Sequence, residues 1–512
     1  MSYFPSFRKW FRRQNQNPIQ TRKGLHKRHQ VKMQLQQLED RTAPASYTWT
    51  SGAGTLSISL GPAEDLTIAE AGGNRTFTID TGTFTQVGGD TATGNGTATI
   101  TFTGAQNIAT SITVNNTGAG AGTNNVTFAG GFIASAAVSV NANAAGTTSA
   151  IGLTTGITTF GTAGADTLSL RANGAGITDT GAGGLNTDTN DVIVTLSATG
   201  QPIVLDNPAN DFEAFTYDAN AISAAASLTI DDVDDIAFGV VNVTGAVNID
   251  TAGRVIFNDV TTVGGTLDVD TNANGGAGDA IYGSNTGGAD NPQLLVTGTT
   301  TLDTGAANID LTATTNNFTG AVTISSAAFI SIDDAGAISF GTVNATENMD
   351  VDSAGAVDFT GLATVGGSLD VDTNANGGLG GTITDSGAGQ LAITGTTTLD
   401  GGNQSITLDN GANDFVGAVS VTSSSNATIV DFNDLSLDSV TQTTTVSLTA
   451  RAGAITDGNG AALNVSAANL ALSAGTGIGI GVGNAIETAV NNLEAATSRG
   501  GIFISNTGNL NI

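Results

Sequence analysis

The sequence repeats itself at an offset of 102 residues, and this repetition restricts the fold more than any other feature. Residues 263–276 read VGGTLDVDTNANGG, and residues 365–378 read VGGSLDVDTNANGG. A second marker, LDNPANDF at 205–212, returns in altered form at 311–318 and as LDNGANDF at 408–415. A unit of about 100 residues therefore recurs, and a fixed period of this kind is typical of architectures built from stacked units.

A shorter period of 19 to 20 residues runs inside each unit. Apolar pairs spaced two apart occur at 330/332 and again at 349/351 and 369/371, with Gly, Asn, Asp and Ala between them. Alternation places both apolar side chains on one face of a short strand, and the intervening residues favour turns. One such coil cannot bury its apolar pair, whereas coils stacked about 4.8 Å apart can.

The two periods together predict an all-β parallel β-helix, or β-solenoid, with coils of about 19–20 residues. A row of β-sandwich modules of about 100 residues is the alternative architecture. The solenoid is favoured because the short period is regular and because Trp49, Tyr47, Tyr217 and Tyr282 are the only Trp and Tyr residues beyond the first 45.

Composition divides the chain into four parts. Residues 1–46 form a basic tail that we expect to be disordered or a short helix, and residues 47–204 an irregular first part of the solenoid. Residues 205–444 form its regular part with the long repeats, and residues 445–512 its C-terminal part.

The C-terminal part contains one departure from the strand pattern. Ile486, Val490 and Leu493 have helical spacing, which predicts a short helix near 485–499. A strand pattern then resumes and continues to Ile512 without a polar cap, so we expect an uncapped end.

Charge is distributed very unevenly. Residues 1–41 carry ten basic and two acidic residues, whereas residues 42–512 carry five Arg and 43 acidic residues. A body this acidic repels nucleic acids, so no nucleic-acid partner is expected, and divalent cations are its natural counter-charge. No stretch of 18 apolar residues is present, so no transmembrane helix is expected.

The residue types needed for common catalytic sites are scarce. The chain has no Cys, and both of its His residues, His26 and His29, lie in the tail. The body therefore lacks the groups for thiolate chemistry, a Ser-His-Asp triad or a His-ligated metal.

The tail ends in Leu38-Glu39-Asp40-Arg41-Thr42-Ala43-Pro44-Ala45, immediately before the composition changes. This segment resembles the LEDR/LEPR-type motif found near the start of large bacterial surface repeat proteins. The resemblance implies export, with the tail as a sorting or processing element, and hence an extracellular or cell-surface location.

The coils running from Thr251 to Val269 and from Ser353 to Val371 are equal in length and follow the short period. They are similar to the coils of filamentous-haemagglutinin-type adhesins. That resemblance covers residues 205–444 clearly and 46–204 loosely, and it implies a right-handed parallel β-helix.

The repeated DVDTNAN segment carries a spacing of oxygen ligands found in calcium-binding loops. In the first copy the side chains fall at positions 1, 3, 5, 7 and 12 of an EF-hand-like loop. Position 6 is Ala273 rather than Gly, and position 12 of the second copy is Gly381. The alternative interpretation is that these acids form the solvent face of a strand. The predicted calcium ligands are Asp268, Asp270, Asn272, Asn274, Asp279, Asp370, Asp372, Asn374 and Asn376.

These features favour a non-enzymatic exported protein, adhesin-like or a structural spacer in the cell envelope or biofilm matrix. Its expected partners are cell-surface or matrix components, or further copies bound through the solenoid ends. The alternative is a polysaccharide-active β-helix lyase or hydrolase, because two carboxylates can suffice for glycoside cleavage. Five Arg residues in the body are few for a sugar-binding cleft.

Overall fold

The computed structural model describes most of the predicted solenoid but not the basic tail. It describes residues 44–512 apart from 105–107, 109, 117–121, 135–136, 143–147, 161–166, 188–191, 213–219, 284–291, 443 and 482. The LEDR-type motif and the predicted tail structure therefore lie almost wholly outside the described residues. Within the described part, all 48 strands belong to one sheet, and no apolar helix of membrane-spanning length occurs there.

The first described strands form antiparallel hairpins, where the sequence had predicted irregular coils. β1 pairs with β2, and β4 pairs with both β3 and β6, all in antiparallel fashion. Gly72 and Gly73 have positive φ and reverse the chain between β3 and β4. The six strands are β1 (Ser46–Thr50), β2 (Thr55–Leu60), β3 (Leu66–Ala71), β4 (Asn74–Ile79), β5 (Thr85–Gly89) and β6 (Thr99–Phe102).

An aromatic cluster fills the interior of these hairpins. The ring centroids of Trp49 and Phe102 are 5.1 Å apart, and those of Phe77 and Phe102 are 5.7 Å apart, both edge-on. The Tyr47 hydroxyl accepts a hydrogen bond from the backbone N–H of Ala92 at 3.1 Å. Because β2 and β3 also pair in parallel with the next strands, β7 (Ser111–Asn116) and β8 (Val126–Ala129), the hairpins cover the first coil of the stack.

The next part of the chain winds in coils with two main strands each. Leu168 lies opposite Val194 on the following coil, so the coil there is longer than the predicted period. These longer coils contain β11 and β13, two long strands that the short period did not predict. The strands are β7 (Ser111–Asn116), β8 (Val126–Ala129), β9 (Ile133–Ala134), β10 (Ala137–Asn141), β11 (Ala150–Phe160), β12 (Thr167–Ala172), β13 (Gly176–Asn186), β14 (Ile193–Ala198), β15 (Pro202–Leu205), β16 (Asn220–Ala225), β17 (Ser227–Asp232), β18 (Ile236–Val243) and β19 (Val247–Thr251).

Most later coils contain three strands, and their pairing is parallel. Leu228, Val247 and Leu267 stack in register on three successive coils, and their spacing along the chain confirms the predicted period here. The next coil is much longer, because Leu267 lies opposite Thr300. Parallel stacking of this kind is a β-solenoid, and it excludes separate sandwich modules.

The strands of this part are short. They are β20 (Val255–Phe257), β21 (Val260–Val263), β22 (Leu267–Asp270), β23 (Ile281–Tyr282), β24 (Gln293–Val296), β25 (Thr300–Asp303), β26 (Ile309–Leu311), β27 (Asn317–Phe318), β28 (Val322–Ala327), β29 (Ile330–Asp334), β30 (Ile338–Ala345), β31 (Met349–Ser353), β32 (Val357–Phe359), β33 (Leu362–Val365), β34 (Leu369–Asp372), β35 (Ile383–Thr384), β36 (Gln390–Ile393), β37 (Thr397–Asp400), β38 (Ile406–Leu408), β39 (Asp414–Phe415), β40 (Val419–Ser423), β41 (Asn426–Asp431), β42 (Leu435–Thr441), β43 (Thr445–Ala450) and β44 (Ala454–Asp457). A single 3₁₀ turn, Ala273–Gly275, interrupts these described strands.

The prediction of a helix near 485–499 is wrong, since Ile486–Thr497 is a strand. Ile486 and Val490 point inward, then two exposed Asn residues intervene before Leu493 is buried. The strand bends there, and one extra residue interrupts the inward–outward alternation. As a result, Val490 and Leu493 are three residues apart, a spacing that is also typical of a helix. The last strands are β45 (Val465–Ala474), β46 (Gly477–Ile478), β47 (Ile486–Thr497) and β48 (Ile504–Asn506).

The apolar pairs of the short period line the interior of the stack. Leu267, Val269, Leu369 and Val371 are each at most 1% exposed, as the solenoid prediction required. Large side chains stack across coils as well, and the rings of Phe340 and its neighbour one coil on lie 5.5 Å apart. One continuous apolar cluster results, so the coils share a single thin core.

The long repeat does not return to the same side of the stack. β17 stacks between β15 and β19 in a column that continues through β22 and β25 to β28. β29, its counterpart in the next copy of the long repeat, stacks instead in the column of β26, β31, β34 and β37. The long repeat therefore contains a non-integral number of coils, and equivalent residues lie on different faces.

Candidate functional site

Aligned aspartates form the most distinctive chemical feature of the outer surface. Asp231, Asp250, Asp270 and Asp303 are register partners on four successive strands of one column. We call this row the first Asp ladder. Neighbouring strands lie about 4.8 Å apart, so adjacent carboxylates are close enough to repel one another.

The second Asp ladder repeats this arrangement in the other column. It consists of Asp333, Asp352, Asp372 and Asp400 on β29, β31, β34 and β37, and Asp333 at its start is buried, with 7% of its surface exposed. In β22 and β34 the Leu-Asp-Val-Asp sequence turns Leu and Val inward, so that Asp268 and Asp270, and likewise Asp370 and Asp372, point outward. The interpretation of these acids as the outer face of a strand is therefore confirmed.

The Thr-Asn-Ala-Asn-Gly-Gly segments that follow β22 and β34 fold back over the preceding coil. Asn274 and Asn376 have positive φ, 51° and 52°, which places them at the tips of matching turns. The Asn274 side-chain amide donates to the carbonyl oxygen of Asp250 at 3.2 Å, and that of Asn376 donates to the carbonyl oxygen of Asp352 at 3.2 Å. These two predicted calcium ligands thus fasten the turn to its neighbouring coil.

The other predicted ligands also have protein partners. The Asn272 side-chain amide donates to Oδ1 of Asp303 at 2.7 Å, and the backbone N–H of Asn272 donates to Oδ1 of Asp270 at 2.9 Å. Asp279 accepts a hydrogen bond at 2.7 Å from the backbone N–H of the following residue. The side chains of Asp270, Asn272 and Asp279 thus take part in hydrogen bonds within the protein.

The second loop has the same internal bonds. The Asn374 amide donates to Oδ1 of Asp400 at 2.7 Å, and its backbone N–H donates to Oδ1 of Asp372 at 2.8 Å. Asp370 lies on the exposed outer side of β34. Across the described residues, no group of three or more His, Cys, Asp or Glu side chains has a metal-binding arrangement. Calcium binding stays a prediction.

The ladders change the acidity of their carboxyl groups. Burial, followed by repulsion from Asp350, Asp333, Asp372 and Asp370, raises the pKa of Asp352 to about 6. In the first ladder, burial and repulsion from Asp250 and other acids raise the pKa of Asp231 to about 6.

Asp400, which ends the second ladder, behaves differently. Burial acts to raise its pKa, but hydrogen bonds from Ser423, Gly402, Thr422 and Asn374 outweigh burial and lower it. Asp400, with its many hydrogen-bond donors, therefore holds its charge more readily than Asp352 does.

A second group of residues, which the sequence marked only as a repeat, forms buried clamps. Each clamp consists of an Asn from the LDNPANDF-type marker and an Asp from the following coil, and all six side chains are fully buried. The two segments are joined by a backbone hydrogen bond, in which the N–H of the residue after the Asp donates to the carbonyl oxygen of the Asn. The Asn–Asp pairs are Asn210 with Asp232, Asn316 with Asp334 and Asn413 with Asp431.

The Asn of each clamp joins two coils. Asn413 accepts a hydrogen bond through Oδ1 from the backbone N–H of Leu391 at 2.9 Å, and its amide donates to Asp385 at 2.7 Å. Asn316 accepts in the same way from the backbone N–H of Leu294 at 2.8 Å. These bonds satisfy buried backbone groups where the chain turns, which explains why Asn recurs there.

The Asp of each clamp occupies an inward position at the end of its strand. Asp431 accepts hydrogen bonds from the backbone N–H groups of Phe415 at 2.8 Å and Asn433 at 2.6 Å. Asp334 accepts from Phe318 at 2.8 Å and Gly336 at 2.7 Å. The alternation that begins at Ile330 is the sequence signal for an inward side chain at Asp334. That inward position was not predicted, because charged residues are rarely buried in a core.

Comparison with known proteins adds a family of repeats. Residues 284–325, 327–379 and 376–422 match the family described as repeats of unknown function (DUF5649). These segments include all four residues of the second Asp ladder and the whole of two of the three LDNPANDF-type markers, at 311–318 and 408–415. No curated protein and no solved structure matches the chain significantly.

Proposed function

We propose that this chain is a non-enzymatic, exported surface protein of a bacterium, adhesin-like or a structural spacer in the envelope or biofilm matrix. The observation that carries this proposal is the unbroken parallel pairing of strands from the N-terminal hairpins to β48. A stack whose coils share one core resists bending at any single junction, which suits a protein that holds partners apart.

The outer surface supports contact with other molecules through repeated groups. The two Asp ladders present carboxylates at regular intervals on different columns of strands. Cell-surface or matrix components that carry cations or many hydroxyl groups are the partners we propose for such faces. Calcium is the cation we propose, because its ligands in proteins are carboxylate and amide oxygens.

Export is tested with the tail and its motif. Residues 1–50 are fused to a reporter enzyme that is active only outside the cytoplasm. The matched control replaces Leu38, Glu39, Asp40 and Arg41 with Ala. We expect activity from the first fusion and a loss of activity from the second, whereas retention of the first fusion in the cytoplasm would contradict export.

The spacer role is tested with an internal deletion. Removing residues 228–329 joins Ser227 to Ile330, and β29 is the counterpart of β17 in the long repeat, so the strand pattern continues across the junction. Antibody labelling of intact cells measures display, and attachment to a matrix-coated surface measures function.

We expect the shortened chain to be displayed as fully as the complete chain but to support weaker attachment. Cells that produce no chain provide the baseline. If those cells attach as well as cells with the complete chain, the adhesin or spacer proposal is wrong.

A further inference from the structure

The clamp carboxylates Asp334 and Asp431 stand at corresponding junctions of the long repeat. Each is fully buried, and each ends the strand that opens a new repeat, β29 or β41. Each accepts two backbone N–H groups, one from the preceding coil and one from its own turn. A negative charge is thus enclosed at each junction with backbone donors as its hydrogen-bond partners.

We propose that Asp334 and Asp431 make the repeat junctions proton-responsive, so that the stack is held more tightly in mildly acidic than in alkaline solution. The proposal does not depend on the proposed function, because it concerns how tightly the coils hold together.

The charged groups around Asp431 are mostly acidic. Asp414 on β39 and Asp434 in the following turn both repel its charge. β43, which stacks on β41, carries no titratable side chain, and Arg451 after it donates to the carbonyl oxygen of Gly411 at 2.9 Å. No cation among these neighbours therefore balances the buried charge.

Asp334 has a similar environment. Its own strand contributes Asp333, and the strands stacked on either side of β29 contribute Asp310, Asp350 and Asp352. β27, whose Phe318 donates to Asp334, carries no titratable side chain. Burial is the main reason that the pKa of Asp334 is raised.

The raised pKa values of the two clamp carboxyls determine how stability changes with pH. Burial raises the pKa of Asp334 and of Asp431 from 3.8 to about 6, despite the backbone hydrogen bonds that act to lower it. A carboxyl group with a higher pKa in the folded chain binds its proton more tightly there than in the unfolded chain. Its contribution to stability is therefore complete below about pH 3.8 and is lost as the pH rises through about 6.

The test compares thermal unfolding of the full chain at pH 5 and pH 8, in EDTA, followed by circular dichroism. The double variant Asp334→Asn, Asp431→Asn removes both buried charges, and Glu347→Gln removes one exposed charge as the matched control. We expect the unchanged chain and the control to melt at higher temperature at pH 5. For each clamp carboxyl, the folding equilibrium constant should be about tenfold larger at pH 5 than at pH 8.

The double variant should lose the part of this pH dependence that Asp334 and Asp431 contribute, while Asp231, Asp232 and Asp352, whose pKa values burial also raises, keep the remainder. A second measurement covers the case in which that variant fails to fold. The backbone amides of Phe318 and Phe415 are observed by NMR in the unchanged chain labelled with ¹⁵N-Phe. Because these amides donate to the clamp carboxylates, we expect both to titrate with midpoints near pH 6.

Two results would overturn the proposal. One is a double variant that folds and keeps the full difference in melting temperature between pH 5 and pH 8. The other is a pair of Phe amides whose shifts do not change between pH 5 and pH 8.

Discussion

Single buried polar residues hold the turns of this solenoid in place. Asn413 is fully buried and bonds through its side chain to two groups of an earlier coil, Leu391 and Asp385. An apolar residue could not replace it, because the backbone N–H of Leu391 would then lose its partner inside the protein. The cost of an unsatisfied buried group is about 1–3 kcal/mol.

Replacing Asn413 with Ala should therefore lower the free energy of unfolding of the surrounding coils by about 3 kcal/mol. Hydrogen exchange of the amides in β36 and β39 measures this local effect directly, since coils can open separately. Asn433→Ala is the control, because that side chain is exposed. Equal protection in the two variants would show that the clamp contributes nothing beyond surface contacts.

At the residue level, the sequence predicted inward positions better than the roles of polar residues. Alternation correctly placed Leu267 and Val269 inside and Asp268 outside. The Asn residues of the same segment were predicted to bind calcium, which stays a prediction, and in the structure their amides also donate to neighbouring coils, a role that the sequence did not indicate. Those bonds join residues 24 and 31 positions apart, a separation that no local ligand spacing can reveal.

At the scale of elements, a column of glycines forms one corner of the stack. The backbone N–H of Gly395 donates to the carbonyl oxygen of Gly367 one coil earlier at 2.7 Å. A Cβ on Gly395 would lie 2.6 Å from that oxygen, and one on Gly417 would lie 2.1 Å from the oxygen of Gly395. The corner therefore excludes any side chain, because backbone atoms of successive coils touch there.

Gly395→Ala should separate two coils at this corner and lower the melting temperature of the chain. Overpacking of this kind costs about 1–3 kcal/mol, and backbone atoms relax less easily than side chains. Gly52→Ala is the matched control, since a Cβ there meets no atom within 4 Å. Circular dichroism melts of the two variants provide the measurement, and identical melting temperatures would mean that the corner can widen freely.

The length of each element was harder to predict than its type. The predicted period holds from Leu228 to Leu267, whereas the following coil returns to this column only at Thr300. An insertion between strands leaves the stacked pairs unchanged, so solenoids accept it at little cost. The strand at Ile486–Thr497 was mistaken for a helix for a related reason, since one corner residue changes the apparent period.

At the scale of the whole described body, the long repeat predicted that coils stack. It did not predict which column of strands each copy of the repeat joins. The long offset gives the same local sequence again, yet β17 and β29 belong to different columns. The sequence shows only how far apart two copies lie along the chain. The number of strands per coil decides which face they reach, and that number depends on pairing between distant segments.

The acidic charge of the body leads to a prediction about cations. The Asp ladders are rows of like charges, and the chain carries a formal net charge of −30. Screening shortens the range of repulsion from about 10 Å at 0.1 M salt to about 3 Å at 1 M. Raising KCl over this range at pH 8 should therefore raise the melting temperature of the full chain.

Calcium should act beyond screening if it bridges carboxylates within a ladder. At constant ionic strength, we expect millimolar CaCl₂ to raise the melting temperature more than MgCl₂ does, because calcium accepts irregular sets of oxygen ligands while magnesium keeps its water. EDTA should reverse the rise. The double variant Asp370→Asn, Asp372→Asn interrupts the second ladder and should lose part of the calcium effect, because the first ladder stays intact. Glu347→Gln, an exposed change in the preceding coil, should retain the whole effect. If calcium and magnesium raise the melting temperature equally in the unchanged chain and in both variants, the ladders are only a general acidic surface. A cation that bridges carboxylates must depend on the residues that hold it.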